Sequence, residues 1–222
     1  MDEIRVGIIG FGFMGKTHTY GYKTLPLYYG ELPFRIKLVG VCDMMLPVAE
    51  RAKEELGFEF ATGNPDDILL NDNINTVDVC TPNIYHKDAV LKALESGKNV
   101  YCDKPLAVSY EETKEITGIL DKCNVVTQMA LQYRFFPATM RARELIEEGK
   151  IGKIMSFRAC YLHSGSVDPN KPIGWKQDKK LGGGGVLFDL GSHVLDIMYY
   201  LLGEYSSIFA ETRVIYPERP DK

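Results

Sequence analysis

The sequence predicts an α/β fold whose first part is a doubly wound parallel sheet, and three observations support this prediction. Across the first 130 residues, short apolar runs alternate with helical patterns, as expected of strands that are buried on both faces between helices. A glycine-rich turn directly follows the first of these runs. The 222 residues, 45% hydrophobic and 25% charged, are enough for one large or two small globular domains.

The first domain, residues 1–130, is predicted to alternate strands and helices. The strands cover residues 4–9, 36–42, 76–80, 99–102 and 125–130. The helices cover residues 14–23, 47–56, 86–96 and 109–122. Ser109 and Glu112 form a capping-box pattern, and Gly97 is typical of a helix C-cap. Residues 24–34 contain two prolines and are predicted to be a loop inserted between the first helix and the second strand.

The pattern changes in the second domain, residues 131–222. We expect helices over 137–148 and 187–202 and strands over 154–162 and 207–215. A loop of about twenty residues, rich in Lys, Pro, Asp and Gly, precedes the second helix, and loops of that length inside a compact domain are usually functional.

Charge and cysteine usage exclude several classes of protein. The net charge of −4, without a run of Lys or Arg, argues against nucleic-acid binding. The apolar runs are shorter than the ~18 residues of a membrane span, and the N-terminus is acidic where a signal peptide would be basic, so no membrane partner is expected. Five scattered cysteines without a C-x-x-C pair favour a reduced, cytoplasmic chain.

The glycine-rich turn has the pattern G-x-G-x-x-G between the first strand and the first helix. In that context the pattern is typical of a dinucleotide-binding loop, because its glycines allow the tight turn, the approach of a pyrophosphate and close packing of helix on strand. The N–H groups at the helix start then face the phosphates. The predicted cofactor contacts are Gly10, Phe11, Gly12, Phe13 and Met14. The alternative is a plain turn without a ligand.

Asp43 closes the second strand, where dinucleotide-binding folds carry an acid for the ribose hydroxyls. It stands 28 positions after Gly15, against about 20 expected, and the segment 24–34 accounts for the difference. Its carboxylate would repel a 2′-phosphate, and no basic residue follows it, so NAD is predicted rather than NADP. The alternative is a simple cap or turn residue.

Two more motifs follow predicted strands, at the edge where open parallel sheets bind ligands. One is Thr-Pro-Asn followed by a histidine, and the other is Asp-Lys-Pro. The predicted cofactor contacts in these motifs are Thr81, Pro82, Asn83, His86, Asp103 and Lys104. For His86, capping of its helix is the alternative, and Asn83 is also a candidate for the substrate side.

In this combination the sequence resembles the glucose–fructose oxidoreductase, inositol dehydrogenase and MocA-like family over essentially the whole chain. The resemblance is carried by the glycine loop, T-P-x-x-x-H at 81–86, G-K-x-V leading to D-K-P at 97–105, and D-x-G-x-H at 189–193. Asp103 replaces the Glu that is usual in the family.

The resemblance implies a Rossmann domain followed by an α+β domain of mostly antiparallel sheet, which also forms homo-oligomers. We expect residues 1–130 to be a complete NAD-binding domain. The resembled proteins are considerably longer than this chain. Residues 131–222 are then expected to be the first part of a truncated substrate and oligomerisation domain.

Oxidation of an alcohol by NAD needs a group that accepts the hydroxyl proton. Asp189 and His193 are four residues apart on one predicted helix face, and histidine suits proton transfer near neutrality. The resemblance implies that Lys104, Asp189 and His193 form the catalytic set, and which of them accepts the proton stays open. The alternatives are a core histidine, a helix-terminal acid and a solvated lysine. No metal site is predicted, because further ligands at suitable spacing are not evident.

Four more residues are weaker candidates for substrate contacts, namely Tyr133, Arg134, His163 and Trp175. For Arg134 a structural ion pair, and for Trp175 anchoring of the long loop, are the alternatives. The resulting hypothesis is an oxidoreductase that transfers a hydride between NAD(H) and a sugar, cyclitol or related polyol. The alternatives are sugar–sugar transfer or glycosidic cleavage with transient oxidation, and a non-catalytic NAD- or sugar-binding fragment.

Overall fold

The computed structural model describes residues 1–221, so Lys222, the last residue of the predicted second domain, lies outside the described residues. The chain divides into two compact units, Met1–Ala130 and Leu131–Lys222.

The first unit contains six strands and five α-helices among its described residues. The strands are β1 (Asp2–Ile9), β2 (Phe34–Cys42), β3 (Phe60–Thr62), β4 (Thr76–Val79), β5 (Asn99–Cys102) and β6 (Thr127–Met129). The helices are α1 (Phe13–Tyr29), α2 (Leu46–Leu56), α3 (Asp66–Leu69), α4 (His86–Glu95) and α5 (Tyr110–Leu120). A 3₁₀ turn, Asn83–Tyr85, leads into α4.

These strands form one parallel sheet in the order β3-β2-β1-β4-β5-β6, which confirms the predicted doubly wound sheet. The central strands are largely buried on both faces, and Val6, Ile8 and Val77 have no exposed surface. The strand order reverses between β1 and β4, and the carboxyl ends of strands at such a point form the usual ligand crevice of open sheets.

Helix ends follow the predicted signals. Ser109 Oγ accepts the N–H of Glu112 at 3.2 Å, which confirms the N-cap of α5. The carboxylate of Glu112 reaches back to the N–H of Val108, one residue before the position that a capping box predicts. Gly97 lies just beyond α4 with a φ of +68°, a conformation that favours glycine.

Two details of the first unit differ from the prediction. The expected loop 24–34 is too long, because α1 continues to Tyr29 and contains Pro26, so that only residues 30–33 separate it from β2. Pro26 lies in the last turn, where it removes the one hydrogen bond to the carbonyl of Tyr22, while its own carbonyl still accepts the N–H of Gly30. The edge strand β3 and the helix α3 were not predicted, because three or four residues are too few for a periodic pattern.

The second unit is helical where its backbone is regular. Its helices are α6 (Pro137–Glu147), α7 (Lys179–Gly182) and α8 (Ser192–Leu202), with a π-helical turn, Leu187–Gly191, directly before α8. Single 3₁₀ turns occupy Gln132–Phe135 and Ser164–Ser166.

The strands predicted over 154–162 and 207–215 are not formed, which corrects the sequence-based prediction of antiparallel sheet within residues 131–221. A strand needs a neighbour for its ladder hydrogen bonds, and neither segment has such a neighbour among the described residues. Both segments are mostly exposed instead.

The stretch Lys179–Leu202 joins α7, the π-helical turn and α8 into a run that is long and apolar enough, by length and composition alone, to cross a membrane. The stretch contains charged residues such as Asp189 and Asp196, so it is not an uninterrupted apolar run in the sequence. A single stretch of this kind is weak evidence, because core helices of globular proteins pass the same test.

Candidate functional site

In the glycine loop after β1, two of the three glycines stand where a side chain would collide with neighbouring backbone. Gly10 has a φ of +91°, and a Cβ there would lie 2.8 Å from the backbone of Cys80. A Cβ on Gly15 would lie 2.3 Å from the carbonyl oxygen of Gly10. At Gly12, by contrast, no atom lies within 4 Å of the Cβ position. The loop is therefore packed tightly against β4 and α1 while its middle stays open to an approaching ligand.

Asp43 ties the end of β2 to this loop. One carboxylate oxygen accepts the N–H of Phe11 at 2.8 Å, and the other accepts the N–H of Met45 at 2.9 Å. A carboxylate has about four acceptor positions, so Asp43 keeps capacity for further donors such as ribose hydroxyls. The structure thus gives Asp43 an anchoring role that the sequence analysis did not foresee.

His86 braces the two motifs that follow β4 and β5. Its ring nitrogens lie 2.8 Å from the carbonyl oxygen of Thr81 and 2.8 Å from that of Pro105. The ring has no exposed surface, and this burial leaves it no face for a cofactor, so we interpret His86 as a brace rather than as the predicted cofactor contact. Asn83 is buried beside it in the 3₁₀ turn.

Asp103 and Lys104 follow β5 and are partly buried. Asp103 Oδ1 accepts the backbone N–H of Lys104 at 2.8 Å, so the acid that replaces Glu holds the main chain of the candidate catalytic lysine. Burial raises the pKa of Asp103, and the N–H of Lys104 and the charges of Lys104 and His18 offset part of that rise.

The residues of this edge fit a dinucleotide. The N-terminus of α1 has no side-chain cap at Gly12, so its first-turn N–H groups are available to phosphate oxygens. Thr81 Oγ1 is buried and has no hydrogen-bond partner among the described residues. A bound dinucleotide would fit against the open glycine backbone. It would also supply hydrogen-bond partners for the uncapped N–H groups and for the buried hydroxyl of Thr81.

The second unit places His193 under an aromatic side chain. The imidazole is 4% exposed and stacks on the ring of Tyr133, with centroids 4.4 Å apart and planes 25° apart. The hydroxyl of Tyr133 lies 2.6 Å from that of Tyr161. Tyr161 was not among the predicted site residues, because it stands in a segment that was interpreted only as a strand.

Asp189 lies in the π-helical turn, four residues before His193. Lys176 Nζ donates to Asp189 Oδ1 at 2.7 Å and lies 5.7 Å from the ring centroid of Trp175. The long loop therefore reaches the candidate catalytic carboxylate through Lys176, another residue that sequence analysis missed.

Two weaker candidates have local structural partners. The guanidinium of Arg134 forms a bidentate ion pair with Asp196 of α8. This is the structural ion pair given above as the alternative to a substrate contact. His163 Nδ1 accepts the N–H of Gly165 at 2.9 Å and caps a 3₁₀ turn. Neither contact requires a substrate.

A buried polar cluster links α1 to β4. The carboxylate of Asp78 has no exposed surface and lies 3.0 Å from His18 Nδ1, while it accepts hydrogen bonds from the Tyr22 hydroxyl at 2.9 Å and the Cys80 thiol at 3.3 Å. His18, Asp78 and Cys80 also lie close enough together to be considered as metal ligands. Each pair among the three also lies at hydrogen-bond distance, between 3.0 and 3.3 Å.

The cluster predicts a pH-dependent contribution of His18 to stability. Burial lowers the pKa of His18, but the hydrogen bond and charge of Asp78 and the charge of Asp103 outweigh it, so the pKa lies above 6.5 in the folded protein. The stabilisation is therefore fully present below pH 6.5 and is lost as the pH rises through the folded-state pKa.

We expect His18→Gln to destabilise the protein more at about pH 6 than at about pH 9, as measured by urea unfolding. The matched control is His163→Gln, which alters an exposed histidine of the second unit. An equal loss of stability at both pH values would contradict the ion pair.

Comparison with known proteins gives two family matches. The model of an oxidoreductase family with an NAD-binding Rossmann fold matches residues 4–131, and that of the GFO/IDH/MocA C-terminal domain matches residues 139–222.

Individual relatives agree with these matches. Levoglucosan dehydrogenase of Pseudarthrobacter phenanthrenivorans is 38% identical over 99% of this chain and 56% of its own length. D-glucoside 3-dehydrogenase of Escherichia coli is 34% identical over 91% of this chain and 55% of its own. A solved structure of levoglucosan dehydrogenase in complex with NADH and levoglucosan superposes with a TM-score of 0.94 at 37% identity, over 99% of this chain and 59% of that one. The chain thus spans little more than half the length of these relatives.

Proposed function

Because this chain belongs to the GFO/IDH/MocA oxidoreductase family, we propose that it carries the NAD-binding and catalytic part of a dehydrogenase acting on a hydroxyl group of a sugar, cyclitol or related polyol. One observation carries the proposal: the glycine loop, Asp43 and the Asp103–Lys104 motif all lie at the carboxyl edge of a single parallel sheet. The names of the relatives support the class of substrate.

When bound, NAD supplies the hydride acceptor. In this proposal the loop from Gly10 to Met14 cradles the pyrophosphate with backbone N–H groups, and Asp43 accepts from the ribose hydroxyls. The Thr81 hydroxyl, together with Pro82 and Asn83, lines the cofactor beyond β4. The carboxylate of Asp43 disfavours a 2′-phosphate, so the proposed cofactor is NAD rather than NADP.

The catalytic set of the proposal is Lys104, Asp189 and His193. Lys104 donates a hydrogen bond to the reacting oxygen and stabilises the negative charge that develops on it. His193 exchanges the hydroxyl proton, and Asp189 orients the substrate or the imidazole. Tyr133 and Trp175 are proposed to border the sugar.

The relatives continue beyond the region that this chain matches, and this supports a proposal for the sheet of the second domain. We propose that the segments 154–162 and 207–215 become strands of a mostly antiparallel sheet when they pair with sequence outside these 222 residues, and that this sheet forms a homo-oligomer. The five cysteines, all free, support a reducing, cytoplasmic compartment.

The test is a dehydrogenase assay on the complete natural chain. We expect saturable binding of NADH by titration, and NAD-dependent appearance of the reduced-nicotinamide absorbance with at least one member of a panel of anhydrosugars, glucosides and inositols. Reactions without sugar, and with NADP in place of NAD, are the controls. Cofactor binding without turnover on any panel member would contradict the dehydrogenase and favour a binding protein.

A further inference from the structure

Two tyrosine rings of the second unit lie next to the imidazole of His193, and one of them is stacked on it. Tyr133 covers the imidazole at a centroid distance of 4.4 Å, and Tyr161 lies 6.3 Å from it at 48°. Tyr133 and Tyr161 contact each other through their hydroxyls at 2.6 Å. The Tyr133 ring is therefore stacked on the imidazole, and Tyr161 supports this stack through its hydrogen bond to Tyr133.

The stack limits how the imidazole can be oriented. His193 lies in the first turn of α8 and is 4% exposed, so the ring of Tyr133 closes off one face of the imidazole. A nearly parallel ring at this distance fixes the plane in which the ring nitrogens point. Proton transfer depends on such orientation, since catalytic groups must be held within ~0.5 Å and ~10–20° of the productive geometry.

Tyr133 itself needs support, because it stands on the single 3₁₀ turn Gln132–Phe135 rather than on a long helix. Its ring contacts Phe136 with centroids 5.0 Å apart. Its hydroxyl is held by Tyr161, and this hydrogen bond, together with burial, raises the pKa of Tyr133 to about 12. Tyr133 therefore stays neutral at physiological pH, with its hydroxyl fixed from one side.

We propose that Tyr161 is a positioning residue for His193, which it orients through the Tyr133 ring. This inference rests on the proposed function for the claim that His193 handles a proton at the substrate. The orientation of the ring is a property of the second unit and is measurable without turnover.

The first measurement is proton NMR of the imidazole C–H groups in the complete natural chain. These 222 residues contain four histidines, and in the complete chain His193→Gln identifies the His193 resonances by their loss. Because the Tyr133 ring lies over the imidazole, these resonances should be shifted upfield relative to those of exposed His163. Tyr161→Phe, which keeps the ring and removes the hydroxyl, should reduce that shift.

The matched control is Tyr205→Phe. Tyr205 donates its hydroxyl to the carbonyl oxygen of Leu195 on α8 at 2.7 Å, so this variant removes one phenol hydrogen bond to the helix that carries His193. It should leave the His193 resonances in place. An unmoved His193 resonance in Tyr161→Phe would overturn the proposal, whatever the activity.

The second measurement is a double-mutant cycle in the dehydrogenase assay. Tyr161→Phe should lower kcat about tenfold, as expected when one hydrogen bond is lost, with KM and the Kd for NADH nearly unchanged. Tyr133→Phe should lower kcat by the same factor. The double variant should lower kcat no further, since both substitutions remove the same hydrogen bond. Losses that multiply would assign the hydroxyls separate roles and overturn the proposal. Shifted resonances with no turnover in the unaltered protein would instead contradict the proposed function alone.

Discussion

Replacing Lys104 with methionine should lower kcat of the complete natural chain by roughly 10²–10⁴-fold, the usual contribution of a group that acts at a proton-transfer step. Methionine keeps much of the length of the side chain while it removes the charge and the three N–H donors. The backbone should hold, because Asp103 binds the main-chain N–H of Lys104 and not its side chain. The Kd for NADH, measured by titration, should therefore change little.

The matched control for this variant is Lys122→Met, on an exposed lysine after α5, which should retain full turnover. His193→Gln sorts the roles that the sequence leaves open. If His193→Gln abolishes turnover and Lys104→Met only weakens it, His193 is the proton acceptor and Lys104 an electrostatic aid. Full activity of Lys104→Met would remove this residue from the proposed catalytic set.

The central part of the parallel sheet was predictable because strands such as β1 contain apolar runs buried on both faces, for example Val6 to Ile9. The end of α1 was not, because two prolines in residues 24–34 suggested a loop while Pro26 fits the final helical turn. The strands expected over 154–162 and 207–215 failed for a different reason. Their residues have strand propensity, but a strand exists only with a hydrogen-bonded neighbour.

The candidate site also has parts that the sequence predicts and parts that it does not. Glycines and acids at strand ends were predictable from spacing, because their chemistry is tied to one strand–turn–helix unit. The Tyr133–Tyr161 hydrogen bond joins residues 28 positions apart, and the ion pair between His18 and Asp78 joins residues 60 apart. No local pattern encodes such contacts. His86 shows the limit of a motif, which located the residue correctly but did not show that its ring binds two main-chain carbonyls.

Asp43→Ala should weaken NADH binding by about 10- to 100-fold, since hydrogen bonds to a charged group are worth about 1.5–3 kcal/mol. Two contributions add here. The variant loses the proposed contacts to the ribose hydroxyls, and it releases the N–H of Phe11, through which Asp43 holds the glycine loop. Titrations with NADH and with NADPH measure both contributions.

The comparison of the two cofactors separates these contributions. Loosening of the loop weakens the binding of NADH and NADPH alike, because both cofactors carry the same pyrophosphate. Loss of the carboxylate also removes the repulsion of a 2′-phosphate, so the preference for NADH over NADPH should shrink in Asp43→Ala. The control, Asp88→Ala, alters an exposed acid in the first turn of α4 and should leave both affinities in place. An unchanged preference in Asp43→Ala would mean that Asp43 only anchors the loop, and that cofactor selection must come from another residue.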